Sequence, residues 1–133
     1  MAANIRTALL AALLAGAAAL PAQAESVACH VTYGGETRVI AAPPVASPYD
    51  VKSTAVGSYF LFRIVFRPEP ADLAAIKIYA YADRDEGPTI IHQATWPYPP
   101  PPTTAHGFTG LHFVYEPVRD GELRYWCELR DVR

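Results

Sequence analysis

The chain is expected to fold as an all-β sandwich of about seven or eight short strands stapled by one disulfide. Three features carry this expectation. Apolar side chains recur with a period of two rather than 3.6 along most of the chain, which is the spacing of half-buried strands. Gly and Pro interrupt the alternation, and 13 prolines are too many for a helical bundle, because proline removes a backbone donor and clashes inside a helix. The only cysteines are Cys29 and Cys127, one near each end. With 51% hydrophobic and 18% charged residues, the chain has enough apolar surface to build a core and does not have the composition of a disordered one.

The first element is an export leader, residues 1–24. Arg6 lies near the start, an apolar run follows from Ala8 to Leu20, and Ala22-Gln23-Ala24 offers a small-residue cleavage site. As a helix, that run rises only about 20 Å, short of the roughly 30 Å hydrocarbon core of a membrane. Removal of the leader leaves one domain, residues 25–133, in the periplasm or outside the cell, with no membrane span. Thiols oxidise there, so Cys29 and Cys127 are expected to pair.

The strands follow in order. Val27 to Tyr33 and Thr37 to Ala42 flank Gly34-Gly35, a hairpin candidate, and a weaker strand lies near Val51 to Val56. Phe60, Phe62, Ile64 and Phe66 alternate with Tyr59, Leu61, Arg63, Val65 and Arg67, so the even positions face a core. Ile76, Ile78, Ala80 and Ala82 do the same against Lys77, Tyr79, Tyr81 and Asp83. Thr89 to Trp96 forms the next strand, with Ile90, His92, Ala94 and Trp96 on its apolar side. Leu111, Phe113 and Tyr115 are expected to face inward, and His112, Val114 and Glu116 outward. Leu123, Tyr125, Cys127 and Leu129 face inward in the last strand. Matching core to core across the final hairpin then requires a three-residue loop, Arg119-Asp120-Gly121, with Gly121 left-handed. Phe113 would lie opposite Cys127 and Tyr115 opposite Tyr125. On the outer face Glu116 would meet Arg124, Val114 would meet Trp126, and His112 would meet Glu128.

By parity both sulfurs point inward, which predicts a bridge between the first and last strands through the core. Tyr125-Trp126-Cys127 resembles the Tyr-x-Cys of the tyrosine corner in immunoglobulin-like domains, which also join their two sheets through a buried disulfide. The resemblance covers three residues and implies an immunoglobulin-like β-sandwich architecture. It implies nothing about function.

Composition excludes several function classes. One of the 11 basic residues is Arg6 in the leader, so residues 25–133 carry 10 Lys plus Arg against 13 Asp plus Glu, a net charge of −3. An acidic domain is a poor partner for nucleic acid. Residues 25–133 hold neither Met nor Asn, which removes copper sites with an axial methionine, Cys-His-Asn triads and Asn-linked glycosylation. No serine sits in a Gly-x-Ser-x-Gly elbow. Asp83-Arg84-Asp85-Glu86-Gly87 begins like a calcium loop, but position twelve is Ala94, and a solvated hairpin turn explains the same residues. These carboxylates are also the only acids that a small hydrolase could use here.

Two clusters remain as candidate sites. Four histidines, His30, His92, His106 and His112, invite a metal reading. On parity His92 belongs on the apolar side with a hydrogen-bond partner, and His30 and His112 fall on opposite outer faces, which leaves His106 and His112 as the pair to test. Tyr79, Tyr81 and Trp126 point outward, and Tyr98 stands in Trp96-Pro97-Tyr98-Pro99-Pro100-Pro101-Pro102. That segment is expected to be extended, as a stiff crossover or as a polyproline ligand for an aromatic groove. Together these aromatics could present a platform to a protein or a glycan. The expectation is a non-enzymatic exported binding or protein-interaction module without a cofactor, using Tyr79, Tyr81, Tyr98 and Trp126. The alternative is a periplasmic metal-binding protein using His106 and His112.

Overall fold

Eight strands appear in a computed structural model that describes residues 24–102 and 105–132. They are β1 (Ala24–Tyr33), β2 (Glu36–Ala42), β3 (Thr54–Val56), β4 (Phe60–Arg67), β5 (Ala75–Arg84), β6 (Gly87–Pro97), β7 (His112–Glu116) and β8 (Gly121–Val132). Apart from Ala24, the expected leader lies outside the described residues. The strands form two antiparallel four-stranded sheets packed as a sandwich, in the orders β2-β1-β8-β7 and β3-β4-β5-β6. The chain passes between the sheets once between β2 and β3 and once between β6 and β7. Among the described residues no helix is long and apolar enough to cross a membrane.

Alternation explains most of the core. Phe60, Phe62, Ile64 and Phe66 of β4 and Ile76, Ile78, Ala80 and Ala82 of β5 are all buried. Their register sets large against small: Phe60 lies opposite Ala82 and Phe62 opposite Ala80, so the aromatic rings have room to reach the other sheet. There Phe62 meets Tyr125 edge-on, with centroids 5.2 Å apart. Leu123, Tyr125 and Cys127 are buried as expected, and Leu129 packs against the same cluster. Gly34 and Gly35, both at positive φ, make a two-residue turn that sets Tyr33 against Glu36. One outward position is also dry: Val65 is buried, because residues 43–53 lie across that part of β4. Val45 N donates to Phe66 O at 2.9 Å, and Arg63 reaches back to the carbonyls of Val51 and Pro48.

Cys29 and Cys127 are bonded, fully buried and inward, as parity required. The bridge does not join the two sheets. Cys29 and Cys127 are direct partners on the adjacent strands β1 and β8, with Cα atoms 4.0 Å apart. The architecture is a sandwich, but the inter-sheet disulfide of immunoglobulin-like domains is absent. Closing so long a loop still restricts the unfolded chain, by about 4 to 5 kcal/mol in the chain-entropy model.

The last hairpin corrects the expected register. His112 pairs with Tyr125, Phe113 with Arg124, Val114 with Leu123 and Tyr115 with Glu122, and a four-residue turn, Pro117 to Asp120, closes the hairpin. Asp120, not Gly121, takes the left-handed conformation, at φ 56°. Every side chain of β7 is therefore on the opposite face from that expected. Phe113 and Tyr115 are 49% and 59% exposed, Leu111 is exposed, Val114 is buried and Glu116 is 0% exposed. The outer pairs expected for Glu116, Val114 and His112 do not form.

Glu116 decides this choice. One carboxylate oxygen accepts from Arg84 Nη2 at 3.2 Å and Val118 N at 3.3 Å. The other accepts from Arg119 N at 2.8 Å and Arg119 Nε at 3.1 Å. The same Arg119 donates to the carbonyls of Asp83 and Tyr59 in the opposite sheet and lies over the Tyr59 ring. A buried carboxylate is tolerable when its lone pairs are filled and its charge is matched, and both conditions hold here. Periodicity cannot see this clasp, because Arg84 comes from a distant strand.

A second departure lies in β6. His92 pairs with Ala80 and Ile90 with Tyr81, so Ile91 is an extra residue that bulges the strand. The bulge reverses parity upstream of it. Ile90 is 55% exposed, and Ile91 packs against the core in its place.

Burial pushes the Glu116 carboxyl upward, but the bonds from Arg119, Arg84 and Val118 outweigh it and hold the group below 4.5. A depressed carboxylate stabilises the fold above its unfolded pKa, and that stability is lost as pH falls through the folded value. Glu116→Gln is therefore expected to lower the urea midpoint at pH 7, and its deficit relative to wild type should shrink as pH drops below 4.5. A deficit that does not change with pH would assign the loss to packing rather than to charge.

Candidate functional site

The expected platform of four aromatics is spread over three surfaces. Tyr79 and Tyr81 lie on β5 and face outward from the β3-β4-β5-β6 sheet, stacked at 6.3 Å, with Arg63 5.2 Å from the Tyr79 ring centre. They cover one another and the stem of Arg63. Trp126 faces outward from the other sheet, on the far side of the sandwich. Tyr98 is folded against the end of the core. Its ring packs on Phe66 at 5.0 Å and its hydroxyl donates to Glu25 at 2.9 Å. Burial and this bond to a carboxylate together push the Tyr98 phenol up. The proline segment is not extended throughout: it bends at Tyr98-Pro99 and then crosses from β6 to the β7 sheet.

The outer face of the β2-β1-β8-β7 sheet is the richest surface. Trp126 on β8 pairs with His30 on β1, and their rings stack at 3.8 Å and 5°. Glu128 accepts from Arg130 Nε at 2.6 Å and lies 3.3 Å from His30 Nε2. The Arg130 bond holds the Glu128 carboxyl below the usual range despite partial burial. His106 meets the Trp126 ring edge-on at 5.9 Å. Beside this group the reversed register of β7 places Phe113, under the Arg124 guanidinium at 5.9 Å, and Tyr115, opposite Glu122. Arg124 and Glu122 pair at 3.3 Å. The result is an aromatic stripe interleaved with ion pairs. Apolar character puts Phe113 and Tyr115 in the core, so the sequence alone does not mark them as the surface residues they are.

The crossover is anchored to this sheet through Gly107. Its φ is +62°, and a Cβ there would lie 1.9 Å from Cys127 O, so only glycine permits the approach. Phe108 N then donates to Cys127 O at 3.0 Å, and Cys127 N donates to Thr109 Oγ1 at 2.8 Å. The loop thus satisfies β8 at the position where β7 no longer reaches it, and it brings His106 over Trp126.

Between the sheets lies a second cluster. His92 has the hydrogen-bond partner expected for it: Nε2 and the Tyr125 hydroxyl share a bond of 2.5 Å. His112 is not on an outer face. It stacks on Tyr125 at 5.0 Å, stands 5.7 Å from the His92 ring, and donates from Nε2 to Thr109 O at 2.9 Å. Trp96 closes the group. Burial pushes the Tyr125 phenol far up and, with the His112 charge second, pushes His92 down. Because Tyr125 faces in and Trp126 faces out, His112 and His106 lie on opposite sides of one sheet and share no site. Among the described residues no group of three or more His, Cys, Asp or Glu is placed to hold a metal.

Asp85 and Glu86 form the two-residue turn between Arg84 and Gly87, the hairpin weighed against a calcium loop. They are exposed and lie beside Arg84 and Arg119. Glu116 is held by the same two arginines.

A lowered His92 pKa means that the unfolded chain takes up a proton below 6.5 while the folded chain resists it. Stability contributed by neutral His92 is thus present above 6.5 and declines as pH falls toward the folded value. Thermal melts between pH 7 and pH 5 are expected to show this decline in wild type and a flatter profile in His92→Gln; equal slopes would place the effect elsewhere.

Comparisons with protein-family models, curated proteins and solved structures find no match to this chain.

Proposed function

We propose that the chain is an exported, non-enzymatic interaction module of the periplasm or the extracellular space, and that it binds a protein through the outer face of the β2-β1-β8-β7 sheet. The observation that carries this reading is the aromatic stripe of that face. Trp126 and His30 share that face with Phe113 and Tyr115, the last two about half exposed, and the Arg124–Glu122 and Arg130–Glu128 pairs lie among them. A central aromatic patch inside a polar rim is the anatomy of a protein interface. A glycan fits less well, since sugar rings stack on an open indole face, and His30 covers one face of Trp126. The buried disulfide agrees with an oxidising compartment. A non-enzymatic role is supported by Glu116, whose oxygens are taken up by Arg84 and Arg119, and by the exposed turn position of Asp85 and Glu86.

The reading is tested by capture from periplasmic extract with wild type and with Trp126→Ala, Phe113→Ala and Tyr79→Ala. Loss of a buried aromatic anchor costs about 2 kcal/mol or more, roughly thirtyfold in affinity. Trp126→Ala and Phe113→Ala should lose the partner while keeping a cooperative melt, and Tyr79→Ala on the opposite face should retain it. Loss with Tyr79→Ala alone would move the interface to the other sheet. Unfolding of Trp126→Ala with retention by Phe113→Ala would make Trp126 a structural residue.

A further inference from the structure

A groove of about 770 Å3 opens at the end of the sandwich where β4 finishes, a size typical of small-ligand sites. It lies apart from the aromatic stripe, and nothing in the proposed function uses it. Tyr98, packed on the buried Phe66, forms its apolar wall, with Pro44 beside it. Prolines hold the rim in place, since their φ angles are fixed, and the Tyr98 hydroxyl is tied to Glu25. The groove is therefore shaped before any ligand arrives.

Its charges specify what would fit. Arg67 lines it, and Arg67 Nε is buried with no hydrogen-bond acceptor among the described residues. Glu69 lines it too, and among the described residues neither Arg67 nor Glu69 is part of an ion pair. Two opposite charges thus share one groove without neutralising each other. A simple anion would satisfy Arg67 but meet Glu25 and Glu69. A simple cation would do the reverse, and a neutral apolar molecule would leave both charges unmatched. We propose that the groove binds a free zwitterionic α-amino acid with an apolar side chain. The carboxylate lies on Arg67, the ammonium lies toward Glu69, and the side chain lies against Tyr98 and Pro44. Opposite charges held together with an apolar body are the features of that chemical class, and each has its counterpart among the residues that line the groove.

The test uses the purified protein with three probes: L-phenylalanine, its methyl ester, which lacks the carboxylate, and N-acetyl-L-phenylalanine, which lacks the ammonium. Calorimetry and amide-shift titration are expected to show saturable binding of phenylalanine, with shifts centred on Arg67, Glu69 and Tyr98, and each blocked probe at least about tenfold weaker. Arg67→Gln should weaken phenylalanine by a similar factor, and Arg67→Lys should restore part of it. Glu69→Gln, at an exposed position, tests the ammonium contact without disturbing the core. It should weaken phenylalanine while leaving the N-acetyl probe unchanged. No saturable binding, equal binding of all three probes, or phenylalanine binding unaffected by both Arg67→Gln and Glu69→Gln would each overturn the proposal.

Discussion

A carboxylate sealed between two sheets must find donors for both oxygens and charge to match its own, and Glu116 finds them at the one point where β5, β7 and the final turn converge. Two hydrogen bonds reach each oxygen, from Arg84, Val118 and Arg119. Arg119 continues to the carbonyls of Tyr59 and Asp83, so a single ion cluster ties the last hairpin to the opposite sheet. Because side chains alternate along a strand, placing Glu116 inside places Val114 and His112 inside and turns Phe113 and Tyr115 toward solvent. The composition of both the outer face and the inner histidine pair follows from where one carboxylate can be neutralised.

The remaining framework works in the same direction. The disulfide joins β1 and β8, the central strands of their sheet, and sets Trp126 directly beside His30 one position later. Gly107 lets the crossover reach β8 above β7, which brings His106 over Trp126 and supplies the carbonyl of Thr109 to His112. Each face of this sheet thus receives its aromatic and imidazole groups from the same two anchors, the buried acid and the bonded cysteines. The opposite sheet is a simple meander whose outer side is partly roofed by residues 43–53, and its tyrosines are quenched by their neighbours.

What the sequence made legible was local. The inward faces of β4, β5 and β8, the inward direction of both cysteines, the bonded partner of His92 and the turn at Asp85-Glu86 all rest on alternation or turn chemistry within a few residues. What stayed hidden was non-local. In β7 the odd positions are the more apolar, so hydrophobicity points the wrong way, and it is reversed by Arg84, many residues upstream, together with Arg119 and Val118 of the following turn. The bulge at Ile91 adds a residue without any Gly or Pro to mark it. Parity placed both sulfurs inside but could not say that their strands are neighbours, and so it set Tyr79, Tyr81 and Trp126 on one platform that the sheet order divides. The aromatic stripe was within reach of the sequence only by weighing Glu116 with its arginines above the pattern of its own strand.

The orientation of β7 can be read directly. Cysteine introduced singly at 113, 114 and 115, with the native disulfide intact, is labelled by a maleimide under native conditions. The buried Glu116 clasp predicts rapid reaction at 113 and 115 and protection at 114 until the protein is unfolded. Rapid reaction at 114 with protection at 113 and 115 would contradict the account.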